Sequence, residues 1–303
     1  MKNILTYLVL LNTGFILFSC DKPAPTQLVD DLENDFEIEF LTKDLNDNYV
    51  NGGNDTSGIT QDLTGITNLI SVSGIKITRD NKTNRLSLAQ AMFFDKSKPV
   101  ENSSGIIIAY KTITPGIIRF NGLETRIVPY EIRFRDMGDL KVVLLGEKYI
   151  LYNLWQGIPD QFFYNYNSFI SFEFQPDIGQ GNASNFDIPT PHEINGNIIL
   201  SGTKSNRDIE AVLEWNGKGP NRISIIVGVI KQGQINSIPV YRIRTKDDGR
   251  LRIPKRLFSG LPFGDLEKIV FTFVRSIEKL HRNGTNELFV SSQSIHSIVI
   301  DIP

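Results

Sequence analysis

The chain has 303 residues, with 32 lysines and arginines against 34 aspartates and glutamates, a formal net charge of −2, three histidines and one cysteine. That length allows one or two domains with cores of their own, the near-neutral balance excludes the charge density of a nucleic-acid-binding protein, and a lone cysteine excludes an internal disulfide framework. His192, His281 and His296 lie far apart in sequence without ligand spacing, and there is no G-x-S-x-G elbow, phosphate loop or G-x-G-x-x-G run, so the reading is a non-enzyme without metal or cofactor.

At the N-terminus an apolar stretch from Ile4 to Phe18 follows Lys2 and closes on Leu17-Phe18-Ser19-Cys20. It has the length of a signal-peptide h-region and falls short of the roughly 20 residues that a membrane-crossing helix needs. The run resembles the lipobox of bacterial lipoproteins at Leu17 and Ser19, while Phe18 stands where small or β-branched residues are commoner. The resemblance implies that residues 1–19 are removed, that Cys20 is acylated, and that the mature protein hangs from a membrane. Ordinary secretion with a free thiol and an uncleaved anchor are the alternatives, and acylation has the advantage of consuming a thiol that an oxidising compartment would otherwise oxidise. Ser19-Cys20-Asp21-Lys22 and the Asn/Ile/Lys-rich composition look like lipoproteins of the Bacteroidota, which implies the outer membrane, on its periplasmic or its surface face. In the enterobacterial sorting pattern, aspartate after the cysteine would instead imply retention at the inner membrane.

Residues 20–65 read as an acidic, flexible tether. Positions 21–64 hold eleven acidic residues against Lys22 and Lys43, with Pro23, Pro25 and Asn51-Gly52-Gly53-Asn54 as breakers, a composition too poor in apolar area to offset its ordering entropy. The alternation Phe36-Glu37-Ile38-Glu39-Phe40 predicts one short strand able to dock on the first domain. Asp44, Asn46, Asn48 and Asp55 fall near calcium-loop positions, but Tyr49 stands where that loop requires glycine, so a polar linker is the better reading. Beyond the tether, residues 65–303 carry 29 basic against 23 acidic groups, so the body is mildly basic.

From residue 66 onward the period is that of strands. Ile106–Tyr110 alternates, Ile117–Phe120 is joined through Asn121-Gly122 to a run from Leu123 to Phe134, and that dipeptide is a strong hairpin signal. Pro129 places its run at a sheet edge or a bulge. Leu86–Phe94 fits a strand or a turn or two of helix, while Leu140–Leu145, Tyr149–Leu154 and Phe169–Phe174 are further strands. Pro189 and Pro191 suggest a boundary, giving domains at 66–190 and 191–303. About eight short strands follow, at Asn197–Ser201, Glu210–Trp215, Ile223–Ile230, Pro239–Arg244, Arg250–Ile253, Lys268–Arg275, Glu287–Ser291 and Ser294–Ile302. Their spacing, with Trp215 as a core candidate, resembles the immunoglobulin-like domains of bacterial envelope lipoproteins, so the expected fold is all-β, with two antiparallel sandwiches.

Two clusters are candidate binding sites. Arg242, Arg244 and Lys246 share a strand face, and Arg250 and Arg252 join them if Asp247-Asp248-Gly249 closes a hairpin, giving a basic ribbon for an anionic partner: a phosphate, an acidic glycan or the chain's own acidic segment. The aromatic stretch from Tyr149 to Phe174 offers Trp155, Phe162, Tyr164 and Tyr166 as exposed loop residues on which a sugar ring could stack, while Phe172 and Phe174 alternate as core. The expected role is structural or partner-binding at the envelope, with the membrane held through Cys20 and an anionic glycan or an envelope protein as partner; a glycan-binding accessory protein of a polysaccharide-capture system is the alternative.

Overall fold

Alternating β-branched and aromatic residues put one side of nearly every extended run into a core and leave the other to solvent or to polar partners. The structure, a computed structural model, describes residues 36–41, 68–137, 139–154, 161–179, 182–259, 261, 263–283 and 286–303. In chain order the strands are β1 (Phe36–Phe40), β2 (Asn68–Arg79), β3 (Lys82–Glu101), β4 (Ile107–Ile113), β5 (Gly116–Phe120), β6 (Leu123–Glu124), β7 (Arg126–Asp136), β8 (Asp139–Leu154), β9 (Phe169–Pro176), β10 (Ser184–Pro189), β11 (Gly196–Ser201), β12 (Glu210–Trp215), β13 (Gly219–Lys231), β14 (Ile238–Asp247), β15 (Arg250–Ile253), β16 (Leu266–Asn283) and β17 (Asn286–Asp301). A single helical turn and a half, α1 (Lys255–Ser259), buries Leu257 and Phe258. The fold is all-β, and Leu86–Phe94 belongs to β3 rather than to a helix.

One ten-stranded sheet runs β1-β14-β13-β16-β17-β2-β3-β8-β7, with β4 added to β3. Its β17–β2 pair is parallel, from Phe289 beside Leu69 to Val299 beside Arg79. That pairing carries the sheet past residue 190, so the two halves of the chain are not separate sandwiches: they share a layer. The reason lies in strand length. The run at Lys268–Arg275 extends to Asn283, and the two runs at Glu287–Ser291 and Ser294–Ile302 are one strand, because Ser292 and Gln293 keep the ladder where the apolar pattern lapses. Asn121-Gly122 does turn β5 into β6, but β6 stops at Glu124 and the chain leaves for β7. Pro129 sits in β7, at an edge of the large sheet.

Two smaller sheets, β10-β9-β5-β6 and β11-β12-β15, complete the layers. Residues of one parity along β17 show where they lie. Leu288 and Val290 enter the core built on Phe120, Phe162, Phe172 and Tyr149, and Ile298 enters the core built on Trp215, Phe258, Phe271 and Phe273. Both small sheets therefore cover the same face of the large one. A third cluster, with Leu69, Met92, Phe94, Tyr130, Ile132 and Phe134, occupies the opposite face.

Between the two cores the same side of β17 presents Ser292, Ser294 and His296, all buried. The connection between the halves crosses there, and Ser294 and His296 meet its backbone. Ser294 Oγ accepts from the Ile194 N–H at 2.8 Å, and His296 Nδ1 accepts from the Gly196 N–H at 2.8 Å. His296 Nε2 therefore carries the ring hydrogen and donates to Thr78 Oγ1 at 3.0 Å. Lys76 Nζ donates to Asn195 Oδ1 at 2.7 Å, and Arg85 pairs with Glu193 at 2.8 Å.

The connection is clamped from the other side by Arg275. Its guanidinium grips the Asp247 carboxylate with Nε to Oδ2 at 2.7 Å and Nη2 to Oδ1 at 2.8 Å. The remaining N–H groups donate to the carbonyls of His192, Glu193 and Asn216 at 3.2, 3.1 and 2.8 Å. Trp215, in the core as expected, adds its indole N–H to Asp247 Oδ1 at 2.9 Å. Asp247 and Arg275 are both buried.

Removing the anion alone strands a buried cation, so Asp247→Ala should lower the unfolding free energy by about 3–5 kcal/mol, and adding Arg275→Met should restore part of it. Urea titration checks both; a loss below about 1 kcal/mol for the single variant would contradict the clamp. Burial, with Lys76 and Arg85 nearby, pushes His296 from 6.5 down to about 4. The unfolded chain thus takes up a proton that the folded one refuses, so this contribution is complete above about pH 6.5 and is lost as the pH falls toward 4. The gap in melting temperature between wild type and His296→Gln should narrow over that window, and a constant gap would reject the assignment.

Candidate functional site

The basic ribbon is where sequence-predicted residues and structure meet. β1 adds to the edge of β14, pairing Glu37 with Arg244, Ile38 with Ile243 and Glu39 with Arg242. Apolar alternation drives the docking, since Ile38 is only 4% exposed and joins the core with Val240 and Ile243. The other parity carries the charges. Glu39 Oε2 lies 3.1 Å from Arg242 Nη1, and Glu37 pairs with Arg222 on the neighbouring β13. Arg242 is itself buried, so Glu39 answers a cation shielded from water, whereas the Glu37–Arg222 pair is half exposed and is worth little on its own. The strand docks on the second half of the chain rather than the first, as expected from its sequence only in kind. The complementary row of Arg242 and Arg244 lies there, beside Arg222.

Arg250 and Arg252 do not join that row. Asp247-Asp248-Gly249 is a corner, not a hairpin: it carries the chain from β14 in the large sheet to β15 in the three-stranded one, with Gly249 at φ 99°. Asp247 turns inward to Arg275, which takes the corner out of the plane of either ladder. On the far layer Arg250 stands opposite Glu214, and Arg252 pairs with Glu210 at 2.6 Å. Arg242, Arg244 and Lys246 keep a common face, as the period of two requires.

Most of the aromatic stretch serves the interior, with Phe163 and Phe169 left exposed at 60% and 63%. Phe162 and Tyr164 are buried, not exposed, because the segment folds back across β2, where Gly74 leaves room for the rings of Tyr164 and Tyr166. The Tyr164 hydroxyl meets Ser292 Oγ at 3.0 Å, and the two tyrosine rings pack edge to face at 5.1 Å. Burial raises both phenols, that of Tyr166 to about 12. The buried Tyr164 offers no free face for a sugar, while Tyr166 is half-buried against the same core. Trp155 lies outside the described residues, as do Cys20 and the calcium-like positions from Asp44 to Asp55.

A cleft of about 150 Å³ beside β10 is lined by Phe186, Asp187, Ile188, Pro189, Ile277, Lys279, His281 and Val290. It is smaller than the usual few hundred Å³ of a small-molecule site, and its aromatic faces are spent on each other, His281 stacking on Phe186 at 4.0 Å. Among the described residues no three His, Cys, Asp or Glu side chains converge to hold a metal. No protein family, curated protein or solved structure matches the chain.

Sequence reasoning missed Arg222, Asp247 and Arg275. The acidic run 36–40 and the basic run 242–246 were each visible as alternations, and the acidic segment was one of three anions expected for the ribbon, but the strand was expected on the first domain; the inward turn of Asp247 had no local signal. Reversing the acidic charges with Glu37→Lys/Glu39→Lys should abolish amide-exchange protection across residues 36–40 while leaving β17 protected. Protection unchanged at both places would show that the charges do not hold β1.

Proposed function

We propose that this chain is a lipid-anchored envelope protein of the outer membrane, held through acylated Cys20, with a structural or partner-binding rather than catalytic role. The observation that carries the reading is the run Leu17-Phe18-Ser19-Cys20 at the end of a short apolar stretch, bearing the sole cysteine of the chain. The docking of β1 fits it. Fifteen residues, 21–35, separate Cys20 from Phe36, which limits the span between anchor and β14 to roughly 55 Å at full extension. A tether running freely to residue 65 would reach about three times as far. The internal answer of Glu37 and Glu39 to the basic row supports the third of the expected anions, the chain's own acidic segment, over an external phosphate or glycan. The reading as a glycan-capture accessory protein loses Phe162 and Tyr164 to the core and keeps Trp155 and the half-buried Tyr166.

Replacing Cys20 with Ala and fractionating cells tests the anchor. The variant should leave the membrane fraction and keep residues 1–19, and mass spectrometry of the wild type should find a lipid on Cys20. Unchanged membrane association of the variant, or a free thiol on the mature wild type, overturns the proposal.

A further inference from the structure

β1 is joined to the rest of its sheet in an unusual way. It occupies the outer edge, five strand positions from β2 in the order β1-β14-β13-β16-β17-β2, a lateral distance of roughly 24 Å at the ordinary strand spacing. The chain that spans this distance is residues 41–67, 27 in all, which can extend to roughly 90 Å. Along the strands Phe40 stands level with Thr78, through Tyr241, Val227, Phe271 and Ile298, at the far end of β2 from Asn68, so the two ends lie roughly 40 Å apart and the connection is about twice as long as the fold requires. Nothing in the backbone obliges a given β1 to settle on its own β14.

What β1 contributes is self-contained. Its five residues make a ladder with Tyr241–Thr245, bury Ile38 and pair Glu37 and Glu39 with Arg222 and Arg242. All of these contacts lie between β1 and the edge formed by β14 and β13, and every one is reproduced if the strand comes from another molecule.

We propose that Phe36–Phe40 is exchanged between two copies of this chain, each β1 docking on the β14 edge of the other. Because the exchange is reciprocal between the same two copies, both edges are filled and the assembly closes as a two-fold dimer rather than growing into a fibre. The contacts are equal in the closed monomer and the exchanged dimer, so concentration decides between them. A linker of this length sets an internal effective concentration on the order of millimolar, and exchange dominates where copies are crowded beyond that.

The inference does not depend on lipid attachment, and its test uses the full-length chain with Cys20→Ala so that the two stand or fall separately. One protein carries Glu37→Arg/Glu39→Arg, the other Arg222→Glu/Arg242→Glu. In each alone, strand and edge repel, and both should be monomeric by light scattering at about 100 µM, with internal competition removed. Mixed, the strand of each matches the edge of the other, and a one-to-one heterodimer should appear and dissociate in high salt. A mixture that stays monomeric, with circular dichroism showing both proteins folded, overturns the proposal. Should either variant fail to fold, the wild type decides: a dimer that grows toward about 1 mM and is dissolved by excess peptide of residues 33–42 supports exchange, and a monomer throughout refutes it.

Discussion

The Arg275 guanidinium is where the architecture is tied together, and its five N–H groups show how. Two go to the carboxylate at the end of β14, two to carbonyls of the segment joining the halves, and one to the turn between β12 and β13. No neutral side chain could satisfy that many acceptors from one point, and an arginine taken out of water is tolerable only when every donor is used. The ion pair costs desolvation; what it secures is geometry. It holds Asp247 inward, which forces the chain to change layers at the next residues, and it holds the connection against the middle of the large sheet.

That connection explains an otherwise odd feature of β17. Its core-facing positions read apolar, polar, then apolar: Leu288 and Val290, then Ser292, Ser294 and His296, then Ile298. A continuous apolar stripe would have buried the crossing backbone without partners, at a cost of a few kcal/mol for each orphaned amide. The polar stretch instead supplies an acceptor for Ile194 and another for Gly196. The shared sheet and the two cores are therefore one solution to one problem, which is to pass a strand connection through a buried seam.

At the outer edge the charges follow a different logic. Arg242, Arg244 and Arg222 would make a repulsive patch on neighbouring strands, and like charges side by side weaken a sheet. The acidic strand relieves this locally while contributing an apolar residue to the core. A segment that reads as solvated spacer by composition thus contains a short structural piece, and that acidic segment and the basic edge are mutually adapted.

Much of the fold was legible in the residues. Strand periodicity, the turn at Asn121-Gly122, the edge position implied by Pro129, the core role of Trp215 and the docking ability of the run 36–40 all arise from local stereochemistry and spacing, which a single sequence displays. The common sheet, the inward Asp247, the separation of Arg250 and Arg252 from Arg242, and the burial of Tyr164 were not legible, because each depends on which distant strand lies alongside. Periodicity states that a residue faces one side of a sheet. Only the folded chain decides what stands on that side, since the partners that make a serine, a histidine or an arginine tolerable in the interior come from segments up to 218 residues away.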